Sequence, residues 1–210
     1  RAPDGTQTAL CSDMNEAFSQ SFTMKGVLYL MDGKTYRAVR KSSKNTAWEA
    51  VSVSGTAYVP TTTISAAPTG GGTSYEAVNL LTPKRINTFI GDGTATQFKV
   101  DATDLDETAV TAEVNGSAVT VSAVNRSTGL VTLAAAPANG NGLANVSIAF
   151  SKTVSGHADK INKCRFAGLY GGKNDTRVFL SGNPDEPDCD WQSGLYDPTY
   201  FPDTGYTRMG

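Results

Sequence analysis

The sequence predicts an all-β protein: an antiparallel β-meander body with an inserted small β-sandwich and one or two short helices. Three observations carry that class. Short runs of strand formers, stopped by Gly, Pro, Asn and Asp, recur along most of the 210 residues. Near the N-terminus two such runs flank Asp32-Gly33, a dipeptide that hairpin turns favour. Between Ile86 and Lys152 the texture then changes. Large aromatics dwindle to Phe89, Phe98 and Phe150, and brief strands alternate with turn residues, as in a separate β module.

Taken in order, Arg1 to Gln20 begins with RAPDGTQ, which reads as a turn, and continues with LCSDMNEAF, readable as one helical turn or an irregular lead-in. SFTMKGVLYLM is a strand, Asp32-Gly33 the hairpin turn and KTYRAVR the returning strand; AWEAVSV alternates again and adds a third. YVPTTTISAAPTGGGT is rich in Thr, Pro and Gly and reads as an extended surface linker. SYEAVNLLTP offers Ser74 as a helix N-cap and a short apolar run closed by Pro83. In the insert the candidate strands are INTFI, TQFKV, VTAEV, AVTVSAV, GLVTLA and ANVSIAF, with tight turns at Gly91-Asp92-Gly93 and Asn115-Gly116. A module of about 65 residues buries only about 60% of its chain surface, so it gains from neighbouring support.

SGHADKINKCRFAGLYGG, from Ser155 to Gly172, is the best helix candidate, docking by Ile161, Phe166 and Leu169 and ended by Gly171-Gly172. DTRVFLSG returns to strand. Beyond Ser181 four prolines (Pro184, Pro187, Pro198, Pro202) interrupt any period, while Trp191, Tyr196, Tyr200, Phe201 and Tyr206 recur among aspartates. Rings in such number need a surface to bury against, so the segment reads as an ordered strap across a β scaffold. The domain organisation is therefore residues 1–60 with 153–210 as the body with its strap, 61–85 as a linker with a short helix, and 86–152 as the inserted sandwich.

With 39% hydrophobic residues the chain can bury a core. A net charge of −2 supplies no basic field for phosphates, which argues against nucleic acid as a partner; the pairs Arg40-Lys41 and Lys84-Arg85 read as solvated faces. Cys11, Cys164 and Cys189 show no CxxC spacing, so reduced thiols are the default, with a single pairing left open. No apolar run reaches the about 20 residues of a membrane span. The chain opens at Arg1 rather than at a methionine, which points to a fragment or a processed product.

Ser181 in FLSGN and Ser193 in WQSGL lack the G-x-S-x-G elbow that exposes a nucleophile. His157, the one histidine, sits in a polar turn and reads as a cap or a solvated side chain, and one histidine does not make the usual catalytic zinc site. Gly70, Gly71 and Gly72 lack the Gly-Lys-Ser/Thr of a phosphate loop and read as a turn. Asp185, Glu186, Asp188 and Asp190 crowd one loop, but without the Gly and Glu positions of an EF-hand; a solvated acidic loop is the reading, with calcium left open there and at Asp101, Asp104 and Asp106. No catalytic, cofactor or metal residue is assigned. The contact candidates, for a subunit interface or for sugars, are Trp191, Tyr196, Tyr200, Phe201 and Tyr206.

Two stretches carry a resemblance. FIGDGTATQFKV, VNGSAVTV, GLVTLAAAPANG and NVSIAF, in that order, resemble the small β modules of tailed-bacteriophage tail, fibre and appendage proteins. CRFAGLYGGKNDTRVFLSGNP, continued by SGLYDPTYFPDTGY, is similar to blade-entry segments of large virion proteins with a β-propeller-like body, of the neck, tail-hub or DNA-stabilising type, and SFTMKGVLYLMDGKTYRAV then falls in an earlier blade. The chain departs from that pattern by having too few blades to close a ring. The resemblance implies a partial propeller-like body and a non-enzymatic structural component of a phage or prophage particle, in the tail, neck or baseplate. Its location is then the virion, assembled in the host cytoplasm, and its partners are other virion proteins and further copies of itself, with no membrane, no nucleic acid and no cofactor. Two other expectations stand beside it: a carbohydrate-binding module for host-surface glycans, and a polysaccharide-degrading tail enzyme using loop carboxylates.

Overall fold

The computed structural model describes residues 5–16, 18–42, 47–172 and 176–210. Arg1 to Asp4, Ala17 and Asp175, which fall in the expected N-terminal turn, the alternative helical turn and the start of the last expected strand, lie outside them. The fold is all-β with one α-helix among the described residues, and the chain forms two compact units: Arg1–Ala57 with Gly156–Gly210, and Tyr58–Ser155.

The first unit opens with a four-stranded antiparallel meander, β1 Gln20–Met24, β2 Val27–Met31, β3 Tyr36–Lys41 and β4 Trp48–Ser52, in the order β1-β2-β3-β4. The run SFTMKGVLYLM, expected as one strand, is a hairpin of its own, because Lys25 and Gly26 both take positive φ (51° and 75°) and pair Met24 with Val27. That is the backbone of a two-residue hairpin turn; a lysine in its first position conceals it from residue-type reasoning. At the Asp32-Gly33 turn the Asp32 carboxylate accepts the Lys34 and Thr35 N–H groups at 2.9 and 2.7 Å, and its other oxygen accepts Asn15 N–H at 2.7 Å. One buried side chain thus fixes the turn and ties the N-terminal lead-in to it.

The second unit contains β5 Thr61–Ala66, β6 Thr73–Ser74, β7 Lys84–Phe89, β8 Gln97–Lys99, β9 Thr111–Val114, β10 Ser117–Val119, β11 Val121–Asn125, β12 Leu130–Leu133 and β13 Val146–Ser151. A six-stranded sheet runs β10-β9-β13-β7-β5-β6 and a three-stranded sheet β11-β12-β8. AVTVSAV, expected as one strand, splits at Thr120 and passes from the first sheet to the second. The core is apolar: Phe89, Phe98, Val131 and Ile148 are wholly buried, with Phe89 and Phe98 edge-to-face at 5.4 Å.

Residues 61–85 are a correction to the expected linker with a helix. Thr61 to Ala66 joins the sheet as β5, parallel to β7, since its β-branched residues suit a pleated surface better than a solvated coil. Ser74 lies in β6 and caps no helix. The apolar run ending in Leu80 and Leu81 is buried within a turn, where Asn79 donates to the Tyr58 carbonyl at 2.8 Å and accepts Leu81 N–H at 3.1 Å. These local side-chain bonds replace a helical ladder.

Returning to the first unit, α1 His157–Asn162 is shorter than the helix expected from Ser155 to Gly172. Ile161 is buried as expected, but Phe166 and Leu169 are exposed on β14 Phe166–Tyr170. The second antiparallel meander is β14, β15 Arg177–Ser181, β16 Cys189–Gln192 and β17 Tyr206–Arg208. Part of the expected irregular strap, β16 and β17, is therefore sheet. Between these strands the chain makes successive tight turns, closed by Glu186 N–H to Asn183 O (3.2 Å), Asp197 N–H to Gly194 O (3.3 Å) and Gly205 N–H to Pro202 O (2.8 Å). The prolines serve these turns, Pro184 following Asn183 where a fixed φ suits the second position. A four-stranded antiparallel meander is the unit from which propeller blades are built. The edges β1 and β14 meet through Gln20, whose Oε1 accepts Ala167 N–H at 2.6 Å and covers an otherwise open strand.

Candidate functional site

The five aromatic candidates divide by burial. Trp191, on β16, is 1% exposed and lies between the Lys160 ammonium, 5.0 Å from its ring centre, and the Tyr206 ring at 5.1 Å. Phe201 is fully buried, edge-on to Tyr36 at 6.2 Å and 83°. Tyr196 and Tyr200 are half-buried beside the 194–197 turn, where Gly194 N–H donates to Tyr200 O at 2.8 Å. Tyr206 is 45% exposed. Trp191 and Phe201 present no ring face to solvent, so only the tyrosines keep accessible aromatic surface.

The acidic loop is charge-paired. Lys163 Nζ meets Asp185 at 2.7 Å and Asp159 at 3.4 Å; Lys160 and Arg208 both reach Glu186 at 3.4 Å, and Arg208 reaches Asp188 at 3.1 Å. The hydrogen bond Lys163 donates to Asp185, then the one it donates to Asp159, raises the Lys163 pKa, and Asp188 raises that of Arg208. These bonds lace the loop to α1 and β17. Among the described residues no group of three or more His, Cys, Asp or Glu side chains is arranged to hold a metal ion. Asp104 and Asp106 also go their own ways: Asp104 faces Lys152 at 4.0 Å, while Asp106 accepts the Thr153 hydroxyl at 2.8 Å.

The nucleophile candidates are likewise engaged. Ser193 is buried; its hydroxyl donates to Gly194 O at 2.8 Å and accepts Val178 N–H at 3.0 Å, holding β15 to the turn after β16. Ser181 lies within β15, and His157 is the first residue of α1 and half-buried. All three cysteines are free thiols. Burial pushes the Cys164 thiol up to about 12, helped by the charges of Asp190, Glu186 and Cys189, and burial with a hydrogen bond to Glu186 raises Cys189. A thiol held protonated in this way is a poor nucleophile.

Two features escaped the reading of the sequence. The first is a set of exposed apolar side chains on the first unit: Phe166 and Tyr170 on one face of β14, Tyr170 being 77% exposed, with Phe18 64% exposed and 6.2 Å from Phe166, and Leu169 on the other face of the strand. Phe166 and Leu169 were expected to dock a helix, and Phe18 fell in the ambiguous N-terminal lead-in. The second is a polar network in the second unit. Asp101 Oδ2 accepts the hydroxyls of Thr62 (2.5 Å) and Thr63 (2.7 Å) and the amide of Asn87 (2.9 Å), while Asp101 N–H donates to Asn87 Oδ1 at 2.8 Å. Two adjacent threonines reach one carboxylate because the β5–β7 register shifts between Thr61 and Thr63. No residue pattern announces such a shift. The network borders an open bowl of about 400 Å³, lined on one side by Thr69, Gly70 and Gly71 and on the other by Lys99 to Thr103.

No protein-family model matches the chain, and neither the curated proteins nor the solved structures yield a match. The geometry itself defines the class: a two-unit all-β protein with an interrupted meander body, its loop carboxylates paired and its apolar side chains in part on the surface.

Proposed function

We propose that this chain is a non-enzymatic structural component of a phage or prophage particle, in the tail, neck or baseplate, acting through protein–protein interfaces. The observation that carries the reading is the exposed row Phe18, Phe166 and Tyr170, three large apolar side chains of which the two on β14 share one face of the meander, with exposed Leu169 on its other face. A row of that size fits a contact with another protein better than it fits permanent hydration. The outer strands β4 and β17, with exposed Trp48 and Tyr206, add open sheet edges of the kind proteins pair or cover. The bacteriophage assignment rests on the sequence resemblance, and the partners it implies are other virion proteins and further copies of the chain in a symmetric assembly.

Sedimentation velocity over a concentration series tests the interface, with association expected for the natural chain and lost in Leu169→Asp/Tyr170→Asp. Mass spectrometry of density-banded particles from a producing culture tests the location. A chain that stays monomeric at every concentration and is missing from such particles would overturn the reading.

A further inference from the structure

The bowl in the second unit has features that the structural reading does not use. Its base is made of buried polar side chains, Asn87 at 1% exposure among them, fastened to Asp101 Oδ2 by three donors. That carboxylate is held in one orientation before anything binds, which removes much of the ordering cost of a contact. Its second oxygen, Oδ1, has no partner among the described residues. Lys99, the last residue of β8, lines the same bowl, and its ammonium has neither ion pair nor hydrogen bond among the described residues. A fixed acceptor and a cationic donor thus line one bowl with no ion pair between them.

The rest of the lining is of one kind. Thr69 and Thr103 add hydroxyls; Ala66, Val100 and Ala102 add small apolar surface; Gly70 and Gly71 take positive φ (104° and 82°). A Cβ at Gly71 would meet nothing within 4 Å, whereas one at Gly70 would press on the Lys99 side chain at 3.2 Å, so the bowl is open at Gly71 and bounded by the Lys99 stem at Gly70. The volume of about 400 Å³ lies in the range of small-molecule pockets. Carboxylate and ammonium cancel, so the bowl favours no net charge. Donors and acceptors beside a shallow apolar patch complement a ring with hydroxyls at its edge and C–H groups on its face.

From this geometry we infer that the bowl between residues 69–71 and 99–103 is a binding site for a neutral polyhydroxylated ligand of monosaccharide size, in which Asp101 Oδ1 accepts from, and Lys99 Nζ donates to, ligand hydroxyls. The site is separate from the aromatic segment at the C-terminus and does not depend on the particle assignment. It has no catalytic role: one carboxylate faces the ligand, whereas glycoside cleavage uses two.

The test is a titration of the full chain, labelled with 15N, with methyl glucoside, methyl galactoside, methyl mannoside and N-acetylglucosamine, followed by amide chemical shifts. At least one sugar is expected to shift the amides of Gly70, Gly71 and Lys99 to Thr103 saturably, with a millimolar dissociation constant. Asp101→Asn keeps an oxygen for the threonine donors but turns the ligand-facing acceptor into a donor, and Lys99→Met lies outside the network altogether. Each is expected to weaken binding about tenfold, the worth of one charge-assisted hydrogen bond, with the thermal midpoint of Lys99→Met unchanged. No saturable shift with any of the four sugars, shifts that map elsewhere, or equal binding by both variants would overturn the site. A response to free glycine or alanine but not to the sugars would overturn the ligand class.

Discussion

Tyr36 Oη donates a 3.0 Å hydrogen bond to the carbonyl of Pro198, spanning 162 positions of the sequence. The tyrosine comes from the first meander and the proline from a turn of the C-terminal segment, with Phe201 edge-on to the same ring. The first unit is therefore closed by two segments that lie on either side of the insert. Burial, followed by the proximity of Tyr29 and Asp197, holds the Tyr36 phenol well above its ordinary pKa, and Tyr29 is raised as well.

Tyr36→Phe keeps the ring but leaves a buried carbonyl unpaired, so it should lower the unfolding free energy by about 1–3 kcal/mol in urea titrations. The phenol also sets an alkaline limit. A folded-state pKa above the unfolded one gives stability that is complete below the unfolded value and declines as pH rises past about 10. The natural chain should lose stability in that window, and Tyr36→Phe should lose it less steeply.

Asp32 sets the opposite limit. Burial alone would raise its carboxyl, but the Asn15, Thr35 and Lys34 N–H groups outweigh burial and lower it. Its contribution is present above the unfolded value of about 3.9 and fades as pH falls through and below it. Asp32→Ala leaves several N–H groups without their acceptor and should cost about 2–3 kcal/mol at neutral pH, while flattening the acid limb of stability followed by circular dichroism.

The thiols give a chemical test. Cys164 and Cys189 are buried and their pKa values are raised, whereas Cys11 is only half-buried. With Ellman's reagent at mildly alkaline pH the native chain should release the equivalent of one thiol, at Cys11, and the remaining two only on denaturation. Rapid titration of all three in the native state would contradict the packing around Cys164.

How much of this was legible in the sequence depends on what each feature obeys. The all-β class followed from turn residues bounding β-formers, and the hairpin at Asp32-Gly33 followed from a turn pair with its own chemistry. Lys25-Gly26 hid an equally tight turn because lysine is not the residue that positive φ usually selects. Residues 61–66 looked like linker because Thr and Pro suit both surface coil and strand; only pairing with β7, more than twenty residues later, decides between them. The C-terminal aromatics were visible as a group, yet burial separated Trp191 and Phe201 from the tyrosines, and that depends on which neighbour each ring meets. The Asp101 network had no sequence sign, since it arises from a register shift that brings Thr62 and Thr63 to one carboxylate.

The insert has its own core, and Gly129 allows that core to be disturbed alone. Gly129 is the last residue of the β11–β12 turn, with φ 70°, and its carbonyl accepts Val100 N–H at 2.9 Å. A methyl group there would overlap the carbonyl of Ala102, backbone rather than a side chain that could swing aside. Gly129→Ala therefore combines left-handed strain of about 1–2 kcal/mol with a clash that must displace the 100–102 segment, for a total of about 3 kcal/mol or more. Both tryptophans, Trp48 and Trp191, lie in the other unit. In the variant, circular dichroism should show an early loss of strand signal while tryptophan fluorescence still reports a folded first unit. Coincident early loss of both signals would mean that the meander body cannot stand without the insert's core.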